Sequence, residues 1–380
     1  MSIEPFKLER YFAQYEFSAP YLLSSSDCEA LPMRELLETA DDETRAMWDS
    51  LRLGYTESQG HPILREEIAK LYEGIDKDDV LVVTPEEGIF VAMQSLLQKG
   101  DRVVTTYPGY QSLYEIAKSI GCEVDHWTPQ EENGWWFDPD ELEAKLSPHT
   151  KLLVMNFPHN PTGALPSKGD MERVMAMAKE KGIRVFSDEM YRFLEFEPAD
   201  RLPSAAETDE QAIALCGMSK TFSLPGLRLG WLVSRDREAL QKMQAYKDYT
   251  TICASAPSEI LALMGLRAKE ITVTNNILRI RRNLAELDQF FTEYSSIASW
   301  VRPRAGSVCF PKLELAEPAS SFCKRAVDDA GIMILPSTVY DYDDHHIRIG
   351  FGRDNLPEVL EKLKDFVRKD SSSHHGSVKR

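Results

Sequence analysis

Polar side chains follow three short apolar segments of the sequence, each at the point where the segment ends. Asn160 lies in the run FPHNPTG, Asp188 in SDEMY, and Lys220 in CGMSKTFSLPGLRLG. The last run also places Ser219 directly before the lysine and Arg228 eight residues after it. An amide, a carboxylate and an amine are costly to bury unless they pair with one another or hold a ligand. Because ligands of open α/β sheets bind at the carboxyl ends of the strands, the spacing predicts one ligand site there.

The apolar segments that must position these groups are predicted to be strands of one sheet. They are short, rich in Val, Ile and Leu, and apolar on both faces, which is typical of buried parallel strands. The predicted strands cover residues 80–83, 102–106, 151–157, 183–187, 212–216 and 230–234. Between them, helical patterns cover 88–99, 110–120 and 171–181, and each is followed by a glycine that can end a helix. Alternating strands and helices predict an α/β fold with right-handed crossovers and a mainly parallel sheet.

The pattern changes after about residue 265. One long amphipathic helix is predicted over 274–294. Extended segments (308–315, 332–335, 347–349) and shorter helices (320–330, 356–368) follow it. We therefore predict a large domain over 36–265. A smaller α+β domain would combine 1–35, which hold no strand–helix unit, with 266–369. The polar, Ser-rich segment 370–380 is predicted to be a disordered tail.

Composition narrows the possible partners and location. The 380 residues include 61 acidic and 44 basic ones, a net charge of −17, which disfavours nucleic acid and anionic membrane surfaces. No apolar run approaches the ~18–20 residues of a membrane helix, and the first residues do not resemble a signal peptide. The six cysteines are scattered without a CxxC pair, which predicts reduced thiols, a cytoplasmic location and no zinc site.

Taken in order, these motifs resemble the class I/II aminotransferases, which are fold-type I enzymes that use pyridoxal 5′-phosphate (PLP). The resemblance extends from about residue 54 to about residue 353. It rests on Tyr55, Tyr110, Asn160-Pro161-Thr162-Gly163, Asp188, Tyr191, Ser219-Lys220, Arg228 and Arg348. It implies an α/β fold with a mainly parallel central sheet flanked by helices, a smaller α+β domain, PLP as cofactor, no metal, and a homodimer with shared active sites.

The resemblance also implies roles around the cofactor ring. Lys220 would hold the PLP aldehyde as a Schiff base and later move a proton as general base and acid. Asp188 would keep the ring nitrogen protonated, which maintains the electron sink. Asn160 and Tyr191 would donate hydrogen bonds to the phenolic oxygen, and Tyr110 would stack on the ring.

The phosphate would be held by a second group of residues. Arg228 offers a bidentate fork and Ser219 a hydroxyl. Backbone N–H groups at Glu86 and Glu87 would complete the site from a helix N-terminus, with both side chains turned outward. Tyr55 would reach the phosphate from the neighbouring subunit.

On the substrate side, Arg348 would grip the α-carboxylate, since a guanidinium fork suits that task better than an ammonium, with Asn160 beside it. The implied activity is transfer of an amino group between an L-amino acid and a 2-keto acid. The FPHNP run resembles the subgroup that contains capreomycidine synthase, a PLP enzyme that cyclises an arginine derivative. A PLP-dependent lyase or cyclase therefore stays open as the alternative. The polar run SSSDCE at 24–29 fits a pocket wall and an exposed loop equally well.

Overall fold

The computed structural model describes residues 3–375, with side-chain burial over 3–369. The helices are α1 (Lys7–Tyr15), α2 (Met33–Glu38), α3 (Asp42–Asp49), α4 (Pro62–Ala69), α5 (Pro85–Leu96), α6 (Ser112–Ile120), α7 (Pro139–Lys145), α8 (Lys168–Glu180), α9 (Ala205–Thr208), α10 (Arg237–Lys247), α11 (Ala256–Arg267), α12 (Lys269–Glu293), α13 (Ala319–Ala330) and α14 (Leu356–His375). The strands are β1 (Tyr21–Leu22), β2 (Val80–Val83), β3 (Arg102–Thr106), β4 (Glu123–Trp127), β5 (Thr150–Asn156), β6 (Arg184–Asp188), β7 (Ile213–Gly217), β8 (Gly230–Val233), β9 (Ala298–Ser299), β10 (Val308–Cys309), β11 (Lys312–Leu313), β12 (Ile332–Met333), β13 (Leu335–Pro336) and β14 (Ile347–Gly350).

A seven-stranded sheet in the order β2-β8-β7-β6-β5-β3-β4 forms the centre of the fold. The pairs β7–β6, β6–β5, β5–β3 and β3–β4 are parallel, and β8 runs antiparallel to both of its neighbours. The prediction of a mainly parallel sheet is confirmed. The sequence reading missed β4, because the run EVDHW lies at an edge, is only partly buried and lacks the apolar pattern of the inner strands.

The inner strands are apolar on both faces because helices cover both sides of the sheet. In β2, Leu81 and Val83 pack with α5, α6 and α10, whereas Val80 and Val82 pack with α4 and α11. Successive side chains of a strand point to opposite faces, so this alternation places two apolar layers around one sheet.

Several predicted helices begin at different residues from those expected, and two of these lie next to the site. The helix predicted over 88–99 is α5, which begins at Pro85 and ends at Leu96, before Gly100. Thr84 and Glu87 form a capping box and Pro85 occupies the first turn, where its missing N–H costs nothing. The helix predicted over 110–120 begins at Ser112, so that Tyr110 lies in the loop before it.

The remaining strands form three small sheets, β1–β12, β10–β14–β13 and β9–β11. Gly350 in β14 lets the segment around Ser25 cross closely, since a Cβ there would lie 1.7 Å from the Ser25 carbonyl oxygen. Helix α14 continues through His375, into the segment predicted as a tail, and 376–380 lie outside the described residues. Among the described residues, no helix combines the length and apolarity needed to cross a membrane.

Candidate active site

A cavity of about 490 Å³ lies at the carboxyl ends of β5, β6 and β7. Predicted site residues that line it are Glu86, Tyr110, Asn160, Asp188, Tyr191, Ser219, Lys220, Arg228 and Arg348. Two of the predicted residues, Tyr55 and Glu87, do not line it. The three strand ends therefore bring one set of polar side chains together, as the sequence spacing predicts.

Asp188 is the last residue of β6, and its neighbours in the sheet are Asn156 of β5 and Leu215 of β7. Its Oδ1 accepts a hydrogen bond from the backbone N–H of Met190 at 3.1 Å. Burial raises the pKa of the Asp188 carboxyl to about 7, against the opposing influence of Lys220. A carboxyl this buried is stabilised in its charged form by a cation placed against it.

Lys220 follows β7 and extends into the same cavity. Its Nζ donates a hydrogen bond to Oγ of Ser26 at 2.7 Å. Burial lowers the pKa of the Lys220 amine; Arg348 and Arg228 also lower it, while Asp27 and Asp188 oppose the shift. A lowered pKa increases the fraction of neutral amine, which is the form that attacks a carbonyl group.

Arg348 lies in β14 and is only 1% exposed. Its Nη1 donates to the Tyr340 hydroxyl at 2.5 Å and to Oδ1 of Asn160 at 3.3 Å, and its Nη2 donates to the carbonyl oxygen of Ser24 at 2.6 Å. Its Nε has no hydrogen-bond partner among the described residues. A buried guanidinium with an unused N–H is suited to an anionic ligand.

Asn160 links this arginine to the sheet. Its backbone N–H donates to Oδ1 of Asn156 at 2.8 Å, and Nδ2 of Asn156 donates to the carbonyl oxygen of Asp188 at 3.1 Å. A continuous series of hydrogen bonds therefore connects Asp188, Asn156, Asn160 and Arg348. This series fixes the side chain of Asn160.

The N-terminus of α5 lies beside Arg228, since Thr84, Glu87 and Arg228 line a second, smaller cavity. Arg228 adopts a left-handed backbone conformation (φ 51°), and its Nη1 donates to the Pro225 carbonyl oxygen at 3.0 Å. Ser219 is nearly buried on the main cavity wall. The N-terminus of α5 at Glu86, the Ser219 hydroxyl and the Arg228 guanidinium therefore line the main cavity together, a donor set suited to phosphate.

Glu87 and Glu86 turn in different directions. The Glu87 carboxylate accepts from the backbone N–H groups of Thr84 at 3.3 Å and Thr251 at 3.2 Å, so it points away from the main cavity. The expectation of an outward side chain at Glu86 is wrong. Glu86 is the second residue of α5 and faces α6, where Ser112 Oγ donates to its Oε2 at 3.3 Å. Burial raises the pKa of Glu86 to about 7.

The three predicted tyrosines occupy different surroundings. Tyr110 packs against the ring of Phe6, with centroids 4.9 Å apart, and the Tyr191 hydroxyl donates to the Ser26 carbonyl oxygen at 3.3 Å. Tyr55 is 93% exposed on the surface of the single chain. Its role across a subunit interface stays a prediction.

Several cavity residues were not assigned roles from the sequence. Helix α1 contributes Glu9 and Phe12 to the wall and its C-cap residue is Glu16, which also lines it; no strand–helix unit marked this segment as part of the site. Ser26, from the polar run 24–29, also lines the cavity, so the pocket-wall reading of that run is the correct one there. No local sequence pattern around Tyr340 predicts that its hydroxyl contacts Arg348.

An amine of lowered pKa, a buried carboxylate and a phosphate-type donor set at one sheet edge define a site of the PLP-enzyme class. The unpartnered Nε of Arg348 leaves room for a carboxylate ligand beside it. The residues present therefore fit PLP together with an amino acid.

Comparison with known proteins agrees with this class. The model of the family "aminotransferase class I and II" matches residues 21–363, and the chain belongs to that family, whose cofactor is PLP. The chain is 27% identical over 349 residues to capreomycidine synthase of Streptomyces vinaceus, with 91% of this chain and 88% of that protein covered.

Two solved structures are similar over nearly the whole chain. A PLP-dependent aminotransferase from Streptococcus suis is 31% identical, with a TM-score of 0.90 and coverage of 97% of this chain and 99% of that one. The PLP-dependent cyclase OrfR is 26% identical, with a TM-score of 0.87 and coverage of 97% and 98%.

Proposed function

We propose that the chain is an aminotransferase that moves an amino group from an L-amino acid to a 2-keto acid, with PLP carried on Lys220. The observation that carries the proposal is that the Lys220 amine, the Asp188 carboxylate and the Arg348 guanidinium line one cavity. An amino-acid substrate needs a cation for its α-carboxylate and a base for its α-proton, and these residues supply both.

When bound, PLP supplies an electron sink that weakens the bonds at the α-carbon of an amino acid. Asp188 is the carboxylate that keeps a proton on the ring nitrogen, since its burial makes a facing cation strongly favourable. Lys220 Nζ, with its lowered pKa, takes the α-proton as a base and returns it as an acid. The Oγ of Ser26 accepts a hydrogen bond from Nζ and positions it.

Arg348 binds the α-carboxylate and orients the amino acid over the site. Its Nη1 and Nη2 are held by Tyr340, Asn160 and the Ser24 carbonyl, so little side-chain freedom is lost on binding. Tyr110 and Tyr191 bound the space for the ring, while Ser219, Arg228 and the first N–H groups of α5 bind the phosphate.

The proposal includes a homodimer in the cytoplasm. Tyr55 is directed to solvent in the single chain, where a second copy could take it into its own phosphate site. All six cysteines are free thiols, which is compatible with a reducing compartment.

A second candidate is a PLP-dependent lyase or cyclase acting on an amino acid. It is favoured by the likeness over nearly the full chain to capreomycidine synthase and to a PLP-dependent cyclase. Both candidates use the same residues around the ring, so they differ in what happens after the α-proton has been removed.

The test is a steady-state assay of the PLP-loaded protein with a panel of L-amino acids, with and without 2-oxoglutarate or pyruvate. Transamination requires an acceptor and yields one new amino acid for each keto acid formed. Release of ammonia, or of a cyclised product, without any dependence on a keto acid would instead support the second candidate.

A further inference from the structure

One face of α1, extended by its C-cap residue Glu16, lines the cavity and carries two carboxylates. Glu9, Phe12 and Glu16 are spaced by three and four residues, which places them on the same side of the helix. The guanidinium carbon of Arg348 lies 5.9 Å from the centre of the Phe12 ring. Glu9 and Glu16 therefore lie about one helical turn to either side of Phe12, in the same cavity as Arg348.

A third carboxylate reaches the same cavity from α5. The Tyr110 hydroxyl donates to Oε1 of Glu9 at 3.3 Å, and Ser112 Oγ donates to Oε2 of Glu86 at 3.3 Å. Both partners are neutral. We call Glu9, Glu16 and Glu86 the acidic wall.

The other charges of the cavity have charged partners or are assigned to ligands. Asp27 forms an ion pair with Arg353 at 3.1 Å, and Asp188, Arg228 and Arg348 are the groups assigned to cofactor and α-carboxylate. No ion pair to the acidic wall exists among the described residues. Burial raises the pKa of Glu16, although Arg353 and Lys220 oppose the shift, and burial raises the pKa of Glu86 to about 7, so the charged forms are incompletely compensated.

Two further polar groups indicate that this wall faces a ligand. Ser25 lines the cavity, is 5% exposed, and has an Oγ with no hydrogen-bond partner among the described residues. The Nε of Arg348 is likewise unpartnered there. Buried polar atoms without partners are uncommon, and both belong to a pocket that an amino acid would fill.

We propose that the substrate amino acid carries a cationic side chain, an ammonium or a guanidinium, which pairs with the acidic wall while Arg348 binds its α-carboxylate. This inference rests on the proposed function. A cation of the substrate would supply the ion-pair partner that the three carboxylates lack among the described residues, and an acidic substrate side chain would be repelled by them.

The direct test is a titration of the PLP-loaded protein that follows the visible absorbance of the bound cofactor. L-lysine, L-ornithine and L-arginine are compared with L-norleucine, which has the carbon chain of lysine without its ammonium, and with L-glutamate. At least one cationic amino acid should half-saturate the change at a concentration about tenfold to a hundredfold below that for L-norleucine.

The outcomes separate this inference from the proposed function. A change with L-norleucine or L-glutamate at concentrations equal to or below those of every cationic amino acid would overturn the cationic substrate and leave an aminotransferase intact. No spectral change and no turnover with any amino acid would count against the proposed function itself.

Two variants assign the effect to the acidic wall. Glu9→Gln and Glu16→Gln preserve the side-chain shape and remove the charge, and at least one should reduce the preference for the cationic amino acid about tenfold, with L-norleucine affinity unchanged. Glu35→Gln, which removes an exposed carboxylate from α2, is the matched control and should leave the preference as it is. An unchanged preference in both cavity variants would overturn the role of the wall.

Discussion

Arg348 donates a hydrogen bond from Nη1 to Oδ1 of Asn160 at 3.3 Å, although the two residues lie 188 positions apart in the chain. Asn160 is in turn attached to β5 through Asn156. The residue proposed to bind the α-carboxylate is thereby held in register with the strand ends that carry Asp188 and Lys220. Substrate binding and proton transfer are thus expected to depend on one connected group of side chains.

The first prediction concerns the geometry of Arg348. Arg348→Lys keeps the positive charge but removes the planar guanidinium that can donate two hydrogen bonds to one carboxylate. The KM for amino acids should therefore rise about tenfold to a hundredfold, with a smaller effect on kcat. Steady-state kinetics on the best amino donor measure this. Arg10→Lys, an exposed change on α1, serves as the control. An unchanged KM for every amino acid would remove Arg348 from the substrate site.

The second prediction concerns Asp188. Asp188→Asn keeps the size of the side chain but removes the charge that holds the ring nitrogen protonated, so kcat should fall by about a hundredfold or more. Circular dichroism should show a retained fold. The control is Asp365→Asn, an exposed carboxylate on α14. Turnover close to that of the wild type would rule out the role at the ring nitrogen.

The third prediction uses the pKa of Glu86, which is raised from 4.5 to about 7, chiefly by burial. The unfolded chain loses this proton at lower pH than the folded protein, so Glu86 makes the folded state less stable as the pH rises through this window. In the cofactor-free protein, the Tm of Glu86→Gln should equal that of the wild type near pH 4 and should be higher than that of the wild type at pH 8.

The control for this measurement is Glu180→Gln, an exposed carboxylate on α8. Its difference in Tm from the wild type should not change with pH. If the difference for Glu86→Gln were also independent of pH, the inward, desolvated position of Glu86 would be wrong.

The fourth prediction concerns Tyr55 and the proposed dimer. Tyr55→Ala should weaken PLP binding, because under the proposed dimer the phosphate would lose a hydroxyl from the neighbouring subunit. Mixing Tyr55→Ala subunits with inactive Lys220→Ala subunits should restore activity, since each hybrid dimer then contains one intact site. Mixtures no more active than the Tyr55→Ala protein alone would exclude a contribution across the interface.

The central part of the site could be predicted because it depends on strand ends. Asn160 and Lys220 follow buried apolar strands and Asp188 is the last residue of one, and the parallel order of β5, β6 and β7 brings these strand ends to one edge. The walls of the cavity could not be predicted in this way. The approach of α1, the contact of Tyr340 with Arg348 and the inward turn of Glu86 depend on tertiary packing between segments far apart in the chain, which no local pattern encodes.

The most direct test of the account is to locate the lysine that carries PLP. Borohydride reduction of the PLP-loaded protein should fix a pyridoxyl group to Lys220, found by mass spectrometry of the peptide that contains it. Lys220→Ala should abolish both this label and the visible absorbance of the bound cofactor. A pyridoxyl group on another lysine of the wild type, or one that persists in Lys220→Ala, would contradict the account.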